Sequence, residues 1–307
     1  MYDRILVPLD GSSLPAAALA VASLVPSRLA YLLRVEQNAP EVSHYIGPDG
    51  RETHKRIVFR EGDEYLKRAG DAFRAQGRRV EELQSWGDPA ERIIDASADV
   101  DLIVMATHGR GPARRVLHGS VVDRVAREVS VPVLLVPGEH VPDEPAINRI
   151  FVPLDGSELA ETAMPVAVTL ATGLDLPIHG VCVVDPRTRE RSGARDGRAD
   201  EHAQRTSTFA EHAARIYLED CLQRHGGAIS TTCEAYTGGA IAALLRVIRP
   251  DDLVVMTTHG HRGLRRLVLG SVADGLIRRA SAPVLLLREG MVAADRSSTP
   301  QRAERRP

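Results

Sequence analysis

The chain repeats itself, and that limits its possible folds more than any other feature. "RILVPLDGS", residues 4–12, returns 145 residues later as "RIFVPLDGS", residues 149–157. A second pair, "ATHGRGPARRVLHGSV" (106–121) and "TTHGHRGLRRLVLGSV" (257–272), lies 151 residues apart, as does the closing pair "VPVLLVP" and "APVLLLR". Order and spacing survive along each copy, so the chain is a two-fold duplication whose second half carries a net insertion in its middle. With 307 residues, each half is long enough to bury its own core. The expected division is a first domain over 1–138, a Pro-rich acidic linker over 139–147, a second domain over 148–290 and a disordered tail over 291–307.

Within a copy, apolar runs alternate with amphipathic segments. In the first, strands are expected over 4–10, 29–36, 79–86, 101–107 and 131–137, with helices over 12–25, 63–76, 89–98 and 119–129. Ser12 is placed to cap the first helix, and Pro89 suits a first helical turn. Residues 37–60, polar with Pro and Gly, read as loop. In the second copy strands are expected over 149–155, 177–185, 228–236, 252–258 and 283–287. Near-continuous apolar strands alternating with helices argue for a parallel sheet covered on both faces, with ligands beyond the carboxyl ends of the strands. The last strand of each copy, short and apolar, is an edge that invites pairing.

Composition narrows the function. A net charge of −2 argues against a dedicated nucleic-acid binder. Three cysteines, Cys182, Cys221 and Cys233, form no CxxC and fit a reducing cytoplasm. Residue 1 leads straight into a strand, with no signal peptide, and no apolar run approaches the ~20 residues that span a bilayer. Lys55 and Lys67 are the only lysines, so the second half has no lysine for a phosphate.

The repeated loop offers anion chemistry. His108-Gly109 leaves the fourth strand, and Gly119-Ser120 opens the next helix. Free N–H groups and the positive dipole end there favour a phosphate, with a hydroxyl added by Ser120. Gly260, Gly270 and Ser271 are the counterparts. Glycines at a strand exit and before a helix are also ordinary turn and cap residues, and neither a Walker A nor a placed GxGxxG motif is present. Asp10 and Asp155, at the first strand's end, suit either a ligand hydroxyl or amine, or the turn that follows. Arg114-Arg115 and Arg265-Arg266 suit phosphates, an acidic partner or a solvated face; His108 and His259 suit nucleotide contact or a plain strand end. A triad of Asp10, His108 and Ser120 is disfavoured, because "HGSV" is not GxSxG. The histidines show no metal-ligand spacing.

Together "ILVPLDGS", "IFVPLDGS", the two loops and the closing strands resemble the universal stress protein family in its tandem form, over roughly 1–138 and 148–288. The family's ATP pattern is G-x2-G-x9-G-[ST]; Ala106 and Thr257 stand at its first glycine. The resemblance implies two tandem open five-stranded parallel sheets of order 3-2-1-4-5, Rossmann-like, with helices on both faces. It implies ATP between the first and fourth strands, with Mg²⁺ on the phosphates. Pro8, Leu9, Asp10 and Val35 would border adenosine; Met105, Ala106, His108 and Gly109 the ribose and first phosphates; Gly119, Ser120, Val121 and Val122 the phosphate tail. The second set is Pro153, Leu154, Asp155, Val183, Met256, Thr257, His259, Gly260, Gly270, Ser271, Val272 and Ala273. The implied function is nucleotide-dependent regulation in stress response or dormancy through protein partners, with no dedicated catalytic residue. A slow ATPase or nucleotidyl-transfer enzyme is the alternative. A homodimer, or a pseudo-dimer within the chain, would form through the last-strand edges, with neither nucleic acid nor membrane as partner.

Overall fold

The computed structural model describes residues 2–10, 15–37, 41–46, 52–58, 63–107, 120–138, 146–185, 199–258 and 270–288. The first copy runs β1 (Tyr2–Leu9), α1 (Pro15–Leu24), β2 (Ser27–Glu36), β3 (Glu41–Ile46), β4 (Glu52–Val58), α2 (Asp63–Ala75), β5 (Arg79–Trp86), α3 (Pro89–Ala96), β6 (Leu102–Thr107), α4 (Ser120–Glu128) and β7 (Val133–Pro137). The second runs β8 (Arg149–Leu154), α5 (Glu158–Glu161), α6 (Met164–Leu174), β9 (Ile178–Val184), α7 (Ala199–Gly226), β10 (Thr231–Thr237), α8 (Ala240–Val247), β11 (Asp252–Thr258), α9 (Ser271–Arg279) and β12 (Val284–Arg288).

Ten of these strands form one sheet, ordered β10-β9-β8-β11-β12-β7-β6-β1-β2-β5. Each half reads 3-2-1-4-5 from its own outer edge, and every pairing of this sheet within a half is parallel. The halves meet where β12 lies antiparallel to β7, with Val284 opposite Leu135, Leu285 opposite Leu134 and Leu286 opposite Val133. Both last-strand edges are therefore occupied within the chain. Arg288 crosses the seam and donates from Nη2 to the Ala126 carbonyl.

Strand alternation sends side chains to two apolar layers. One holds Ile5, Val7, Leu32 and Leu66 together with Ile150, Val152, Met164 and Leu218. The other holds Leu6, Ile103, Val125 and Leu135 together with Phe151, Val254, Leu276 and Leu286. Both layers run through both halves, so the duplication shares its cores as well as its sheet.

Residues 41–58, expected as loop, instead contain an antiparallel hairpin, β3 with β4, separate from the main sheet. Its sequence alternates Val42 and Ile46 with polar residues around "GPDG", a hairpin pattern carried by polar strands. Where the first half has α2, 13 residues long, the second has α7, 28 residues long. Among the described residues no helix is long and apolar enough to cross a membrane.

Candidate functional site

A proline ends one ladder in each copy, and a crevice follows. The β1–β2 pairing continues to Leu9 and the β6–β7 pairing to Thr107, but β1 and β6 pair only at Ile5–Leu102 and Leu6–Ile103. Asp101 donates its backbone N–H to the Arg4 carbonyl at 2.9 Å, so Arg4, and by alternation Leu6 and Pro8, face β6. The next rung would need an N–H from residue 8, and proline has none. The second copy repeats this: β8 and β11 pair through Phe151–Val254 and stop before Pro153. Both gaps open at the carboxyl ends of the first and fourth strands, where the strand order reverses.

The helix after each fourth strand, α4 after β6 and α9 after β11, starts at the same end of the sheet, because the strand that follows it runs parallel to the one before. In α9, Gly270 occupies the cap with φ −58° and ψ 147°, and the first intrahelical bond runs from Asp274 N to Gly270 O at 2.9 Å. The amides of Ser271, Val272 and Ala273 precede that bond and are the group a helix N-terminus offers an anion. Ser271 is exposed, whereas the Ala273 side chain is buried in the core, so Ala273 has only its amide to give. In α4, which starts at Ser120, Val122 is likewise turned into the core and Val121 is half-buried. His108, Gly109, Gly119, His259, Gly260 and both arginine pairs lie outside the described residues, as does the Ser120 side chain.

At the first strand's end the two copies differ. Asp155 is exposed, and its Oδ1 accepts from Ser157 N at 3.0 Å and Ser157 Oγ at 2.6 Å. Ser157 in turn caps α5, accepting from Ala160 N at 3.1 Å. The turn reading of this aspartate thus holds for one oxygen. Asp10 is exposed beside Tyr65, whose phenol is pushed up first by burial, then by Asp10, and drawn back by Arg34. Val35 and Val183 are half-buried against the same core as Met105 and Met256. Ala106 packs against the opposite layer, while Thr257 hydrogen-bonds Thr162 with 3.2 Å between their hydroxyl oxygens. The residue matching Thr162 in the first copy is Ala17, so a Thr–Thr pair in one half replaces an Ala–Ala pair in the other.

Three residues near the first crevice were not singled out by motif: Tyr65, Arg34 and Glu36. Arg34 Nε and Glu36 Oε1 are buried without hydrogen-bond partners, 3.9 Å apart. The available signal was two charges, "RVE", closing an apolar strand. In the second copy the strand register places Cys182 and Val184 there. Burial, then the charge of Asp155, pushes the Cys182 thiol up to about 11.

An open, doubly wound α/β sheet whose strand order reverses between its first and fourth strands defines the Rossmann-like class of fold. Within that class, the universal stress protein family model matches residues 1–137 and again 146–288. The chain belongs to the universal stress protein family, in its tandem form. A universal stress protein of Mycobacterium tuberculosis is 24% identical over 316 aligned residues, covering 92% of this chain and 94% of its own. One from Methanocaldococcus jannaschii is 32% identical over 143 residues, 44% of this chain and 82% of its own. The crystal structure of a universal stress protein from Archaeoglobus fulgidus superposes with a TM-score of 0.58 at 19% identity, covering 94% of this chain and 98% of that one. A second, from Pseudomonas aeruginosa, gives 0.59 at 16% identity, covering 95% of each.

Proposed function

We propose that this protein is a regulatory nucleotide-binding module with one ATP-type site per copy, acting in stress response through ligand-dependent contacts. What supports the reading is a repeated interruption: the first and fourth strands stop pairing before Pro8 in one copy and before Pro153 in the other, and in the second copy α9 opens with amides that precede its hydrogen-bond ladder. Such a gap suits a flat base and ribose, and such amides suit phosphates. Mg²⁺ would enter on phosphate oxygens and water. Asp10 and the second oxygen of Asp155 are placed for a ribose hydroxyl or base amine. The proposed location is the cytoplasm, and partners would use surfaces other than the last-strand edges.

The test is calorimetric titration of ATP into the purified chain, with mass spectrometry of any nucleotide released by heat. Gly270→Val should weaken binding at the second site by roughly 2–4 kcal/mol, because several charge-assisted bonds to amides are disturbed. The fold should survive, since Gly270 has an ordinary negative φ of −58°. Unchanged titration of both sites in an intact Gly270→Val variant would remove the helix start from the site. The alternative, an ATPase, predicts turnover within the range of ordinary enzymes, above ~1 per second; regulatory binding predicts turnover far below it.

A further inference from the structure

The second half contains a cluster with no counterpart among the described residues of the first. On α7, Cys221 and His225 stand four residues apart on one helix face, and Glu161, at the end of α5, reaches the same point. One ligand atom from each, the Cys221 sulfur, a His225 ring nitrogen and a Glu161 oxygen, lies within 4.8 Å of the other two. Cys221 is fully buried, while the Glu161 and His225 side chains are 20% and 31% exposed, so the cluster has a dry floor and an open mouth.

We infer that Glu161, Cys221 and His225 form a binding site for a thiophilic divalent cation of the zinc class. One soft sulfur, one imidazole and one carboxylate are three ligands from the set that zinc takes, and an open fourth position would hold water. In a tetrahedron with bonds of about 2.0–2.3 Å, ligand atoms sit about 3.3–3.8 Å apart. Closing the cluster to that size needs its ligand atoms to draw together by about an ångström. Binding takes the proton from the Cys221 thiol, which leaves to solvent; the thiolate and carboxylate then balance the cation's two charges.

The surroundings support the cluster. Arg224 holds Glu161 in place, Nη1 to Oε2 at 3.1 Å, and its own charge is shared with Asp220 at 2.9 Å. Tyr217, one turn before Cys221, brings its hydroxyl beside both Glu161 and Cys221. The duplication provides an internal reference. Aligning "YL" at 65–66 with "YL" at 217–218 sets Ala69 against Cys221 and Phe73 against His225, and the "LDGS" alignment sets Ala16 against Glu161. All three ligand types are thus peculiar to the second copy. Because Glu161 adjoins Thr162, which bonds Thr257, a cation here would clamp α5 to α7 beside the second crevice.

The experiment is titration of Co²⁺ into the reduced, metal-free full-length chain, without nucleotide, followed by displacement with Zn²⁺. One equivalent should bind with a thiolate-to-cobalt charge-transfer band and the visible absorption of a tetrahedral site. Cys221→Ser should abolish the band, and His225→Gln and Glu161→Gln should weaken binding at least about tenfold, since loss of a ligand's support already costs about 10–100-fold. Cys233→Ser, outside the cluster, should leave it unchanged. His225→Gln, at a half-exposed helix end, keeps the test open if Cys221→Ser does not fold. No thiolate band, a band that survives Cys221→Ser, or full affinity in His225→Gln would each overturn the assignment.

Discussion

At the scale of single residues, the duplication lets each position be compared with its own copy. Pro8 and Pro153 are the plainest case. A proline inside a central strand is costly, because it removes a ladder donor. Here both prolines face the neighbour from which the strand must part, so the same residue that weakens the sheet creates the crevice. His179 shows the opposite pressure, toward a closed interior. It is 4% exposed, its Nδ1 lies 2.8 Å from Thr232 Oγ1, and its ring lies against Phe151. Burial, then the nearby Arg149 charge, lowers its pKa below the ordinary 6.5. A histidine with a depressed native pKa binds fewer protons folded than unfolded, so its contribution is intact above about pH 6.5 and is lost as pH falls from there toward the native value. Urea unfolding between pH 7.5 and 5 should therefore show acid destabilisation of at most about 1.4 kcal/mol per pH unit from this group. His179→Gln, which keeps a partner for Thr232, should flatten that slope; an identical slope in the variant would remove His179 as its source.

At the scale of elements, helix starts were the most legible part of the fold and strand edges of polar character the least. Pro89 announced α3, and the structure adds what the residue before it does: Asp88 Oδ1 accepts from Glu91 N at 2.8 Å and also from Arg124 Nη1 of α4 at 2.8 Å. One carboxylate caps a helix and ties it to the helix that faces the crevice. Asp88→Ala should cost about 0.5–2 kcal/mol in chemical denaturation. It should also loosen α4, read as faster amide exchange over Ser120–Glu128 than in an Arg124→Gln control. The inner strands of the main sheet were readable from their Val, Leu and Ile runs, and β5 from its alternation. The hairpin at 41–58 was not, because its alternation is carried largely by His, Tyr, Arg and Lys, which resemble loop composition. The cluster on α7 was missed for a different reason: Cys221 and His225 are close in sequence, but Glu161 reaches them only because the end of α5 lies beside α7. The Arg34–Glu36 pair was similarly hidden, since only the folded strand end shows that these two charges are enclosed there.

At the scale of the whole molecule, the antiparallel seam decides how the duplication behaves as a physical object. Leu134, Leu135, Leu285 and Leu286 are 1–4% exposed across β7 and β12, and their burial spans both apolar layers. The strands left at the outer edges, β5 and β10, carry Arg79, Glu81 and Glu82, and Thr231, Thr232 and Glu234, polar rows that discourage further pairing. Sealing the two apolar edges against each other therefore removes an aggregation hazard and couples the halves. The coupling is testable by Leu134→Ala with Leu285→Ala, which face each other across the seam. Each truncation should cost about 2–5 kcal/mol in a core that closes only partly around the void. Because the loss falls on the interface, each half keeps its remaining pairings and helices. Calorimetry should then resolve the unfolding of the variant into two transitions where the unaltered chain gives one. If the doubly substituted chain still melts in one transition, merely at lower temperature, the continuous cores and not the seam strands bind the halves. The shared layers above and below the sheet would then be the place to cut next.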